Sequence, residues 1–195
     1  MQKKEDLRHK RNRITIEKSF MTLLEEKPLH QITVKEIAEL AMINRNTFYL
    51  HYTNIEELYR QIEQKLLQQL PSYLPKEKTL SSDEMRQYFA QLVAVIQKNR
   101  EIYVILFKNP QTNEFETKIK QTLLAPGLAV IKNYTSLPAE ATETISLRLD
   151  FIGSGILGVL ESWLIKHPHI TANEISNIIY SLYSSGWAKI KNWQQ

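Results

Sequence analysis

Apolar residues return at every third or fourth position along almost the whole chain, and this rhythm, more than any single motif, limits what the chain can become. Ile16, Phe20, Leu23 and Leu24 form one such stripe, which ends near Lys27-Pro28. Met85, Phe89, Leu92 and Ile96 form another. A shorter aromatic-rich stretch around Tyr103 and Phe107 stops at Asn109-Pro110, because a residue before proline is steered away from helix. Phe115, Ile119 and Leu123 predict a helix closed by Ala125-Pro126-Gly127. A long helix is expected from about Ala139 to Lys166, ended by His167-Pro168, and Ile175, Ile178, Ile179, Leu182, Trp187 and Ile190 carry the last one. Strand signals are confined to brief β-branched runs such as Ile32-Thr33-Val34, and glycine is scarce at five residues. The expected fold class is all-α.

Capping patterns divide the rhythm into pieces. Thr33-x-x-Glu36 is a capping box, in which the Thr hydroxyl accepts an orphan backbone N–H and the Glu reaches back. It opens a short helix to about Ala41. Asn44 caps a second short helix to about Tyr52, with Ile43 and Phe48 placed as a hydrophobic staple. Asn54-x-x-Glu57 opens a third through Leu58, Ile62, Leu66 and Leu67, and Thr171-x-x-Glu174 opens the last helix. The segment Pro71–Ser81 has two prolines and little periodicity and is expected to be a linker. The organisation predicted is an N-terminal three-helix domain (1–70, with an arm at 1–10), a linker (71–81) and a larger helical domain (82–195).

Two short capped helices about three residues apart have the spacing of a helix-turn-helix. Ile37, Ala38, Ala41, Phe48 and Tyr52 supply the small and apolar inner faces it needs, and Ala38 permits a close approach. Opposite Phe48 lie Asn46 and Leu50, flanked by Thr47 and Tyr49. A recognition helix presents its N-terminal residues to base edges, where Arg grips guanine and Asn grips adenine, and Arg45-Asn46-Thr47 occupies that end. Spacing alone leaves an αα-hairpin with a polar outer face equally open. Charge placement adds to the DNA reading. The chain carries +4, and the same surplus sits in its first thirteen residues, where Lys3, Lys4, Arg8, Lys10, Arg11 and Arg13 face only Glu5 and Asp6. Such a basic arm, Arg11 and Arg13 included, is the usual footprint of phosphate contact.

The run Ile32-Thr33-Val34-Lys35-Glu36-Ile37-Ala38, then Ile43-Asn44-Arg45-Asn46-Thr47-Phe48-Tyr49-Leu50-His51-Tyr52, closely resembles the DNA-binding domain of the TetR/AcrR family, and Glu56-Glu57-Leu58 matches the helix start that follows there. The resemblance covers roughly residues 10–70. The remainder, from Asn99 through Phe115-Glu116-Thr117-Lys118 to Trp163 and the Thr171–Glu174 cap, is similar to a C-terminal subfamily common in low-GC Gram-positive bacteria. The resemblance implies that Asn44, Arg45, Asn46, Thr47, Tyr49 and His51 contact bases and phosphates, and that Thr33 and Lys35 meet the DNA backbone. Two positions depart from the pattern. Ile55 stands where most relatives have a phosphate-binding Lys. Met42 replaces the usual glycine of the turn, at a cost of about 1 kcal/mol if its φ is positive, unless the turn adjusts.

The resemblance also implies a homodimer formed by the last two helices, a palindromic double-stranded operator, and a C-terminal core that holds a small-molecule effector and shifts the spacing of the two DNA-binding domains. Gly153, Ser154, Gly155 and Gly158 thin one face of the penultimate helix, which suits close packing; a kink is the alternative. Candidate pocket walls are Tyr88, Phe89, Tyr103, Phe107, Phe115 and Trp163, with Arg148 as a polar anchor and Asp150 a second. Each aromatic is equally explained as core. The helix Asn54–Leu70 is expected to be the sole lever between the domains. A co-regulator whose C-terminal domain binds a protein is the rival function.

Other classes find little footing. Cysteine is absent, which excludes disulfides, thiol nucleophiles and Cys-ligated zinc. His167 and His169 lack further ligands, the adjacent Glu25-Glu26 and Glu56-Glu57 point apart, and no Gly-rich phosphate loop or nucleophile elbow is present. Neither catalysis, a metal nor a cofactor is expected. No apolar run reaches the roughly 18 residues of a membrane span, and no secretory leader is recognisable, so a cytoplasmic protein is expected.

Overall fold

The computed structural model describes residues 2–71, 81–109, 113–132 and 139–191. Among them every regular element is helical: α1 (Gln2–Glu26), a 3₁₀ turn (Leu29–Gln31), α2 (Val34–Leu40), α3 (Arg45–Tyr49), α4 (Ile55–Gln69), α5 (Ser82–Lys98), α6 (Arg100–Lys108), α7 (Asn113–Lys132), α8 (Ala139–Ile165) and α9 (Ala172–Lys191). The expected linker Pro71–Ser81 lies, apart from its end residues, outside the described residues, as do the side chains of Lys3, Lys4, Trp187 and Ile190.

The chain divides into two compact units, Met1–Leu66 with Ile105–Thr112, and Leu67–Val104 with Asn113–Gln195. Both α4 and α6 therefore cross the division, so Asn54–Leu70 is not the sole element shared between the units. Leu106 and Phe107 are buried at the end of α6, which is what ties this segment to a core. The basic arm expected at 1–10 is not a separate tail either, because α1 is continuous from Gln2 and carries it.

In the first unit the core is made of Ile16, Phe20 and Leu24 of α1, Ile37 and Ala38 of α2, Phe48 of α3, Tyr52, and Leu58, Ile62 and Leu66 of α4, all nearly or fully inaccessible. The Thr33 capping box forms as expected, with the Glu36 N–H donating to Thr33 Oγ1 at 3.3 Å and the Thr33 N–H donating to Glu36 Oε2 at 2.9 Å. Glu36 also takes the Lys27 ammonium, which fastens the end of α1 to the start of α2. The α2–α3 turn is a Schellman motif: the Ile43 N–H donates to the Ala38 carbonyl at 2.9 Å and the Met42 N–H to the Glu39 carbonyl at 3.1 Å. This geometry puts Met42 at φ 53°, so the turn does not adjust to its side chain. At α4 the cap is offset from the expected box. Asn54 Oδ1 accepts the Glu57 N–H at 2.8 Å, but Glu57 reaches past Asn54 to the Thr53 N–H at 2.7 Å.

In the second unit α5 packs on α9, α8 on α9, and α7 on α8. The start of α5 is a capping box, Ser81 with Glu84, inside the stretch expected to be linker. Helix α7 runs on through Ala125-Pro126-Gly127 to Lys132 instead of closing there. Proline removes one backbone donor and crowds the preceding turn, yet apolar residues resume at Leu128, Val130 and Ile131, and the helix continues. Gly153 faces inward, since a Cβ there would stand 2.9 Å from Leu124. Gly155 and Gly158 face open space. The glycines therefore serve two faces of α8 rather than one, and α8 is an unbroken helix.

Two outcomes are expected. Met42→Gly should raise stability by about 1 kcal/mol, since glycine adopts positive φ without the Cβ clash, seen as a higher urea midpoint at unchanged slope. Glu36 is held down to about 2 from its ordinary 4.5 by hydrogen bonds from Lys27 and Thr33. A depressed carboxylate stabilises above its unfolded value, and that contribution is lost as pH falls toward 2. The gap in urea midpoint between the native chain and Glu36→Gln should be constant at neutral pH and close between 4.5 and about 2. A gap that survives at the lower limit would show that the ion pair is not its source.

Candidate nucleic-acid interface

Helix α3 has five residues and would not persist in isolation; it is held from its ends and its inner face. Asn44 Oδ1 accepts the Asn46 N–H at 2.9 Å, which fixes the first turn. Phe48 is fully buried, and Tyr52 just beyond the helix is 2% exposed. Outward from that anchored side stand Arg45 and Asn46, both exposed, with Tyr49 and Leu50 exposed and Thr47 half-buried. Arg45, Asn46 and Tyr49 thus form the outer surface expected of them, with Asn44 at its edge. The amide nitrogen of Asn44 keeps its two donors, because only the oxygen serves the cap.

Thr33 and Lys35 differ in what they retain. The Thr33 backbone N–H and its hydroxyl both donate to Glu36 Oε2, at 2.9 and 2.7 Å, so the residue offers a phosphate no donor while the cap is intact. Lys35 is 3.9 Å from Glu39 with both side chains exposed, a pair weak enough to leave its ammonium available. Ile55, at the start of α4, is half-buried.

Of the cations of α1, Arg11 and Arg13 are both exposed, and Arg13 spends one of its five N–H donors, Nε–H, on Glu17 Oε1 at 3.0 Å. His51 lies against α1, its ring centroid 3.9 Å from that of His9. Burial, then the positive potential of His9 and Arg13, push the His51 imidazole below its ordinary 6.5. Near neutral pH it is uncharged, able to meet an anion through a ring N–H but not as a cation. The sequence reading missed the partners that locate this end of the motif. Tyr52 donates to Glu17 Oε1 at 3.3 Å and Lys65 to Glu17 Oε2 at 2.9 Å. These join residues 35 and 48 positions apart, for which no local pattern exists.

The aromatic set expected to wall an effector pocket is drawn from both compact units. Phe107 belongs to the first unit, the rest to the second. Tyr103 and Phe115 are fully buried with rings 6.0 Å apart. Trp163 is buried, donates Nε1–H to the Ile170 carbonyl at 2.8 Å, and lies under the Arg100 guanidinium, which in turn donates to the Leu164 carbonyl. These contacts brace the α8–α9 connection. Tyr88 and Phe89 pack edge to face on α5, with Tyr183 of α9 against Phe89. Burial pushes the Tyr88 phenol up to about 12, and its hydroxyl has no hydrogen-bond partner among the described residues. Arg148 is half-buried, and Asp150 pairs with Lys120 of α7 at 3.1 Å. Among the described residues no three His, Cys, Asp or Glu side chains converge as metal ligands. None of the described helices is long and apolar enough to cross a membrane.

Comparison with known proteins agrees with this geometry. Residues 21–62 match the model for "Bacterial regulatory proteins, tetR family", and residues 83–185, more than half of the chain, match "Transcriptional regulator C-terminal region". An uncharacterised HTH-type transcriptional regulator of Bacillus subtilis, YxbF, is 25% identical over 117 residues. That stretch is 57% of this chain but 31% of the relative, so the chain spans less than a third of it. Among solved structures, the dihydroxyacetone kinase operon activator DhaS is 19% identical with a TM-score of 0.58, covering 92% of this chain and 96% of its own. A TetR transcriptional regulator of Streptococcus agalactiae is 17% identical with a TM-score of 0.60, covering 93% and 98%. At these identities the structures speak for the fold: an N-terminal helix-turn-helix followed by a helical domain. The chain belongs to the TetR family of bacterial transcriptional regulators, a family of DNA-binding proteins and not of enzymes.

Proposed function

We propose that this chain is a cytoplasmic, sequence-specific repressor that binds a palindromic operator as a homodimer and is released by a small-molecule effector taken up in its C-terminal domain. The observation that carries the DNA reading is the outer surface of α3, where Arg45, Asn46 and Tyr49 are exposed while Phe48 behind them is fully buried. Arg45 and Asn46 are the side chains that grip guanine and adenine in the major groove. Asn44, Thr47, His51, Lys35 and Arg11 supply contacts around them. Thr33 is better explained by the cap, while Arg13, exposed and with only its Nε on Glu17, adds a further cation beside them.

The dimer reading is supported by apolar residues left in water. On α8 Leu147 is 71% and Phe151 80% exposed, and on α9, packed beside it, Ile178 is 42% and Leu182 52% exposed. Gly155 and Gly158 add a row on which another helix can lie close. In a two-fold dimer the α3 helices enter successive major grooves about 34–36 Å apart. An effector that favours another spacing weakens binding by its differential affinity for the two states, typically about 1–3 kcal/mol. The small-molecule reading draws support from the buried Tyr88 hydroxyl, unpartnered among the described residues, a group that costs about 1–3 kcal/mol until something accepts from it. The rival reading, a protein partner, draws on the mutual packing of Tyr103, Phe115 and Trp163 with their neighbours, which gives them structural employment already.

Selection of bound DNA from a random pool should return a palindrome. Arg45→Ala should then relax the preference at one position of each half-site by about 1–3 kcal/mol, whereas Tyr49→Phe should weaken all sequences alike. An unchanged sequence preference for Arg45→Ala would assign the reading face elsewhere. In sedimentation at micromolar concentration the native chain should run as a dimer. Phe151→Asp should raise the dimer Kd about 30-fold, the loss of one central apolar anchor. A native monomer would remove the dimer from the proposal.

A further inference from the structure

Leu50 is 76% exposed and follows directly on α3. Its backbone stays in the right-handed helical region, at φ −73° and ψ −17°, and its N–H donates to the Asn46 carbonyl at 3.1 Å. It therefore continues the helical row of Asn46, one turn further on, opposite the fully buried Phe48. A lone exposed leucine is common on protein surfaces. This one is the apolar end of a row whose other end is Arg45 and Asn46, beside the exposed Tyr49. Met42 is more exposed still but lies in the turn, outside that row.

Leucine offers no donor and no acceptor. A major groove presents acceptors and donors at every base pair, and one apolar group, the C5 methyl of thymine. We propose that Leu50 is a specificity-determining residue that selects thymine by burying its methyl group. The inference rests on the reading that α3 enters the major groove, and it adds a base read through an apolar contact rather than through hydrogen bonds. One helical turn separates Leu50 from Asn46, about 6 Å along the axis, so the thymine lies about two base steps from the base that Asn46 contacts.

The test uses full-length protein and its selected operator, with each thymine replaced in turn by deoxyuridine, which removes the methyl and nothing else. For the native chain one or two replacements per half-site should weaken binding about fourfold, the worth of one buried methyl group. Leu50→Ala should weaken binding to the thymine operator by a similar factor and be insensitive to those replacements, and selection with it should lose the thymine. Leu50 stands in water and holds no core together, and circular dichroism of the variant checks that the fold is kept. If Leu50→Ala stays as sensitive as the native chain at every thymine, the inference is overturned while the DNA reading of α3 stands. If the native chain selects no sequence from the pool, the DNA reading fails and takes the inference with it.

Discussion

The position of the recognition helix depends on one carboxylate. Glu17 is on α1, its side chain is 15% exposed, and it accepts from Arg13 of its own helix, from the Tyr52 hydroxyl beyond α3, and from Lys65 of α4. Two carboxylate oxygens have about four lone-pair directions, so three donors can be served at once. Tyr52 remains a donor because burial, reinforced by the charge of Glu17, pushes its phenol up to about 12. A five-residue helix contributes almost nothing to its own stability, and its orientation is inherited from what grips it. Phe48 supplies the adhesion, and Glu17 supplies the direction. Without the carboxylate, a buried phenol and two cations would each seek a partner, and the face carrying Arg45 and Asn46 would lose its fixed aim.

A second constraint is that caps and phosphate contacts compete for the same residue types. Ser, Thr, Asn and Asp are chosen at helix starts because a short polar side chain reaches a backbone N–H. The same side chains suit a phosphate. Hydrogen-bond inventory separates the two uses where sequence cannot. Asn44 caps through its oxygen and retains its nitrogen donors, whereas the donors of Thr33 are engaged by Glu36.

What could be read from the chain was local, and what could not was long-range or two-faced. The Thr33 and Thr171 boxes, the Asn44 cap and the buried faces of α2 and α3 follow from spacings of four residues or fewer, and they stand as expected. The outer surface of α3 follows by subtraction. The Ser81 box was hidden by the prolines at 71 and 75, which drew the whole segment into an expected linker. Pro126 reads as a stop because its local penalty is large, but the apolar residues after it keep the helical rhythm and α7 continues. The grouping of Phe107 with the first unit and the hub at Glu17 have no local signature, since their partners are set by how helices pack.

Helix α8 shows why a composition of small residues does not by itself identify an interface. Glycine inside a helix costs about 1 kcal/mol relative to alanine. At Gly153 the cost has an evident return within the chain, because a methyl group would collide with Leu124 and hold α7 away. At Gly155 and Gly158 no such return exists among the described residues, as a Cβ would touch none of them within 4 Å. In a single chain those two glycines are therefore a destabilisation without compensation, and they share α8 with Leu147 and Phe151, whose apolar surface is also left in water. The two penalties have one remedy. A second helix laid along α8 would meet a surface without methyl groups to hold it off and would remove the exposed side chains from solvent. That is the arrangement the proposed dimer supplies, and it gives a reason for Gly155 and Gly158 to share one face of α8 while Gly153, two residues before Gly155, faces the other way.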